Sequence, residues 1–76
     1  MKHLLKRITI NPAICNGKAC IRDMRWPVEV IIDLIASGMS FDDIIAYHPE
    51  LGREDILAAL TYAKITVSGK SLSDIN

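Results

Sequence analysis

A chain of 76 residues with no net charge, half of them apolar, makes one domain, and a domain this short buries only about 60% of the surface its unfolded form exposes. With one Trp, two Tyr and one Phe the core must be aliphatic, and the surplus of apolar side chains points to self-association or a partner. No segment reaches the roughly 20 apolar residues of a membrane span, and the opening MKHLLKRITI lacks the apolar stretch of a signal peptide, so a cytoplasmic location is expected.

Charge is divided unevenly along the chain. Residues 1–26 carry Lys2, Lys6, Arg7, Lys18, Arg22 and Arg25 against Asp23 alone, a local charge of +5, whereas the remainder holds Arg53, Lys64 and Lys70 against eight acids, a charge of −5. Such a division suggests a positive face for nucleic acid or for an acidic partner.

In chain order, the first predicted element is a strand over residues 8–11, where the β-branched Ile8-Thr9-Ile10 run is stopped by Asn11-Pro12. A hairpin follows, with Ala13-Ile14-Cys15 and Lys18-Ala19-Cys20-Ile21 flanking Asn16-Gly17, the pair that best tolerates the positive φ of a two-residue turn. Cys15 and Cys20 read as small reduced core or hairpin side chains, because cytoplasmic thiols stay reduced. Together with His3 and His48 they match no standard zinc spacing, so neither a metal nor a cofactor is expected.

Pro27 stands at a helix start and Gly38 at a left-handed helix stop, which predicts a first long helix between them. At about 100° per residue its apolar positions cover an arc of roughly 240°, more than one core needs. Val30 and Leu34 on this helix, with Ile8 and Ile10 of the first strand, are therefore candidate contacts of a homodimer or partner. Ser40 caps a second helix over residues 41–48, with Asp43 in the reciprocal capping position and His48-Pro49 ending it. The third helix starts at Arg53, with Glu54 and Asp55 favourably placed in its first turn. Ile56, Leu57, Leu60, Ala63 and Val67 are expected to face inward, and Glu54, Ala58, Thr61, Tyr62 and Ile65 outward. Residues 1–67 thus form the domain and 68–76 a short tail that frays. The pattern is that of a mostly α fold: a three-helix helix-turn-helix core, homeodomain-like or winged-helix-like, with a short N-terminal β-hairpin.

The run from Ile10 to Ala63 closely resembles the four-hundred-and-thirty-third domain-of-unknown-function family. The most specific matches are Gly17, Lys18, Ile21, Arg22, Arg25 and Pro27 around the hairpin, the Gly38 stop, the Pro49-Glu50-Leu51 turn and the Glu54-Asp55-Ile56 helix start. The resemblance implies a helix-turn-helix antitoxin, dimerisation and a regulatory role. Two positions depart from the family pattern: Asp23 stands where a glycine is usual between the two arginines, and Gly52 where a Thr-like cap is common.

No catalytic constellation is present: there is no phosphate loop, no serine elbow and no metal-spaced His pair. Asp42 and Asp43 point about 100° apart on their helix and suit its N-terminus better than acid–base work. His48 reads as a helix-end residue, and Trp26 as a core plug before a helix. An enzyme is not expected. Two readings of function follow. In one, a dimer holds operator DNA, with Lys18, Arg22 and Arg25 on phosphates and Arg53 and Thr61 on the third helix. In the other, the scaffold binds a protein, a toxin encoded nearby, without touching DNA. The antitoxin reading can contain both functions, and a module that binds DNA and a toxin is the favoured expectation.

Overall fold

The longest apolar-periodic stretch of the chain becomes the helix against which the other elements pack. The computed structural model describes residues 2–69, in the order α1 (Lys2–Leu5), β1 (Ile8–Ile10), β2 (Ala19–Ile21), α2 (Val28–Ala36), α3 (Phe41–Tyr47) and α4 (Arg53–Val67). The expected fraying tail lies outside the described residues from position 70 onward. Among the described residues no helix is long and apolar enough to cross a membrane.

The two strands form an antiparallel pair, with Ile8 opposite Ile21, Thr9 opposite Cys20 and Ile10 opposite Ala19. This corrects the predicted hairpin. Asn16-Gly17 does not turn one strand directly into the next; it sits in a short 3₁₀ turn, Cys15–Gly17, inside the long loop that joins β1 to β2. Asn16 and Gly17 do adopt the positive φ expected of them, at 55° and 80°. Pairing with β1 buries Ile8 and Ile21 on one face, which residues 13–15 do not offer in that register. Cys15 and Cys20, expected as separate reduced thiols, are joined sulfur to sulfur, because the loop folds back and brings its turn beside β2.

α2 begins after Pro27, held at φ −60°, and stops before Gly38, whose φ of +101° is the left-handed conformation that glycine adopts at least cost. α3 carries the full reciprocal cap: the Asp43 amide donates to the Ser40 hydroxyl and the Ser40 amide to the Asp43 carboxylate, at 3.1 and 3.2 Å. α4 carries half of the same device, since Gly52 has no side chain to accept and only its amide donates, to Asp55 at 2.9 Å.

Ile21, Ile31, Ile44, Leu51 and Ile56 are fully buried, joined by Ala58 and Ala59. α4 packs on α1, α2, α3 and β1, and this reverses part of the predicted facing. Ala58, Thr61 and Ile65, expected outward, are 0%, 9% and 8% exposed, whereas Leu57 and Val67, expected inward, are 37% and 88% exposed. Part of the difference comes with α1, which the sequence pattern did not predict: it packs on α4 and brings Leu4 and Leu5 to the core.

Candidate interaction surface

One buried carboxylate engages two of the six cations of the basic N-terminal third, Arg7 and Arg22. Asp55 is wholly buried on the first turn of α4. Arg22 grips it with two hydrogen bonds, Nε to Oδ1 at 3.0 Å and Nη2 to Oδ2 at 2.8 Å. Arg7 adds a third from Nη1 at 3.0 Å and reaches Glu54 through Nη2 at 3.2 Å. With the Gly52 amide, all four donors fill the carboxylate's acceptor sites. Burial pushes the Asp55 carboxyl up, but the hydrogen bonds from Arg22, Gly52 and Arg7 and the Arg22 charge outweigh it, and its pKa lies below the ordinary value. Arg22 is raised in turn, first by its hydrogen bond to Asp55.

Arg22 can reach inward because the backbone before α2 turns left-handed: Arg22, Asp23 and Arg25 have φ of 47°, 55° and 61°. Asp23 therefore holds a conformation that glycine adopts freely, and Asp is among the side chains that tolerate it. The Asp23 amide is tied to the Thr9 hydroxyl at 3.0 Å.

The remaining candidates separate. Lys18 pairs with Glu29 at 2.7 Å, both exposed. Arg53 pairs with Asp42 at 3.0 Å and lies over the Phe41 ring, 5.4 Å from its centre. Arg25 is exposed and makes no ion pair among the described residues. Thr61 is buried and its hydroxyl donates to the Leu57 carbonyl at 2.8 Å, so it offers nothing to a ligand on the helix surface. Of the apolar candidates, Ile10 and Val30 are 55% and 38% exposed and Leu34 is half-buried, but Ile8 belongs to the core. Trp26 is half-buried against the core; its indole N–H donates to Glu50 at 3.0 Å and its ring meets His48 edge-on at 4.7 Å. Glu50 is lowered by its own backbone amide first and by that indole second.

An open groove of about 670 Å³ runs between the β1–β2 loop, α2 and α4. Ile10, Ala19, Val28, Ile32, Tyr62 and Ala63 form its apolar floor and walls, with Lys18, Glu29 and Asp33 on α2's side and the loop's, and Thr66 at the end of α4. Sequence reading found Ile10 but missed the groove, because its walls come from three separated segments. Asp55 was read only as a charge suited to a helix start; its spacing after Gly52, the same as that of Asp43 after Ser40, was the available signal. Arg7 carried none. Among the described residues no three His, Cys, Asp or Glu side chains gather as metal ligands do.

No curated protein matches the chain. Its fold is similar to the crystal structure at 2.00 Å of a DUF433 member protein from Anabaena variabilis ATCC 29413, with a TM-score of 0.73 and 33% identity. The similarity covers 83% of this chain and 62% of the other, so the chain spans less than two thirds of that protein's length. The model of the family described as "Protein of unknown function (DUF433)" matches residues 8–63, which include the hairpin, Arg22, most of the groove and Asp55. The chain therefore belongs to the DUF433 family.

Proposed function

We propose that this protein is a non-catalytic regulatory module, the antitoxin member of a toxin–antitoxin pair, and that it acts by binding its partner protein in the groove between the β1–β2 loop, α2 and α4. The body it uses is a helix-turn-helix arrangement of α2, α3 and α4, and two copies associate through Val30 and Leu34. The antitoxin role follows from the resemblance in sequence. The mode of action rests on the observation that Arg22, Lys18 and Arg53 are each engaged by a carboxylate of the chain itself. A phosphate backbone attracts through cations it can neutralise, and here Asp55, Glu29 and Asp42 compete for them. The groove offers mainly apolar contact instead, which suits a protein surface.

The test is co-expression with any small reading frame found adjacent to the gene, followed by isothermal titration of the purified pair. Expected are relief of the neighbour's toxicity and a complex of fixed stoichiometry. Ile10→Asp, at an exposed position on the groove rim, should weaken that complex roughly 10- to 100-fold. The reading fails if Ile10→Asp neutralises as well as the wild type while the unmodified protein binds its upstream DNA selectively, with a steep fall in affinity as salt rises.

A further inference from the structure

The loop that walls the groove is fastened to the sheet at one point. Cys15 opens the 3₁₀ turn and Cys20 lies in the middle of β2, and these are the chain's two cysteines. Their sulfurs are joined, and their Cα atoms stand 7.0 Å apart, just beyond the span of about 4.4–6.8 Å usual for a disulfide. Cys20 is 1% exposed, while Cys15 is only half-buried. Cys15, Asn16 and Gly17 follow one another at φ of 53°, 55° and 80°. L-residues enter that left-handed region reluctantly, and two here are not glycine. A link to β2 helps hold them. Gly17 and Lys18, at the end of this turn, line the groove.

We propose that Cys15 and Cys20 are a reversible dithiol–disulfide pair that sets the shape of the groove wall, with Cys15 as the sulfur that exchanges with outside thiols. The consequence for partner binding rests on the groove reading above, but the chemistry and the loop movement belong to the isolated chain. In oxidation, the Cys15 thiol gives up its proton and its thiolate attacks a small disulfide such as oxidised glutathione. The reagent's S–S bond breaks, a mixed disulfide forms on Cys15, and one glutathione thiolate leaves. The Cys20 thiolate, whose proton goes to solvent, then attacks the Cys15 sulfur, forming the internal bond and releasing the second glutathione thiolate. Two electrons pass from protein to reagent, and the released thiolates take up two protons. Reduction by a dithiol runs the steps backward, beginning at the accessible Cys15 sulfur with Cys20 as leaving group.

Without the bond the turn depends on the Gly17 amide to the Ile14 carbonyl, at 3.1 Å, and the Lys18 amide to the Cys15 carbonyl, at 3.0 Å. Hydrogen exchange at these two amides is the readout. Reduction should speed it about tenfold or more while α4 amides such as Ile56 keep their protection. Acid-quenched wild type, sampled while oxidised glutathione acts on the reduced chain, should carry glutathione on the Cys15 peptide only. Cys20→Ala should accumulate that adduct and Cys15→Ala should form little. Glutathione on Cys20 in preference to Cys15, or no internal bond after prolonged exposure, overturns the exchange mechanism. Equal exchange at Gly17 and Lys18 in both redox states overturns the control of the wall. Both measurements use the wild-type chain, so a variant that fails to fold does not decide the matter. Loss of toxin binding in both redox states, with these results intact, refutes the proposed function alone.

Discussion

Asp55→Ala removes the single group on which Arg7, Arg22 and the Gly52 amide converge. Taking one partner from a buried ion pair costs about 3–5 kcal/mol when the charge left behind stays buried. Here the Arg7 and Arg22 side chains keep 32% and 44% of their exposure, so water reclaims much of both guanidiniums and the ionic part falls to about 1–2 kcal/mol. The lost partner of the Gly52 amide adds about 1 kcal/mol. The total is about 2–3 kcal/mol, which for a domain of this size lowers Tm by roughly 10–20 °C. Asp55→Asn, which keeps an acceptor for Gly52, should lose less. The assay is urea unfolding followed by far-ultraviolet circular dichroism, with Arg22→Ala completing a double-mutant cycle whose coupling should be about 1–2 kcal/mol. The pH dependence follows from the sign of the shift. The folded pKa of Asp55 is depressed, so the unfolded chain binds the proton more readily and the carboxylate's contribution is fully present above its unfolded value near 4. The stability gap between wild type and Asp55→Asn should then shrink as pH falls from about 4 through the folded pKa. A loss below about 0.5 kcal/mol for Asp55→Ala, or a coupling to Arg22 of zero, refutes the reasoning.

Ser40→Ala breaks one bond of the reciprocal cap on α3 and should cost about 1 kcal/mol by the same unfolding measurement; an unchanged midpoint means that the cap does not hold the helix. The protein should sediment at micromolar concentration with about twice the chain mass, and Val30→Asp, at the exposed position of the pair, should return it to one chain mass without loss of helix content. A strict monomer in the wild type removes the dimer from the proposed function.

The local instructions of this fold were legible where a residue acts through its own backbone or its neighbours within a turn of helix. Pro27, Gly38, the Ser40–Asp43 pair and His48-Pro49 mark the limits of α2 and α3 to within a residue or two, and Asn16-Gly17 takes positive φ as its composition requires. Contacts between distant segments were not legible. Four residues of α1 are too short for periodicity to detect, yet they pack on α4, whose Thr61 and Ile65 are buried. The excess of positive charge in the first third is a property of the sequence, but its destination is not. Arg7 lies 48 and Arg22 33 positions from Asp55, and only the packing of the hairpin against the start of α4 draws these two arginines of the basic segment into an internal ion-pair network. The groove belongs to the same class: its walls come from the loop, α2 and α4. Helix caps and turns are set by short-range sterics and hydrogen bonds that a sequence carries in place, whereas the partner of a charge and the cover of an apolar face depend on which elements the tertiary structure brings together.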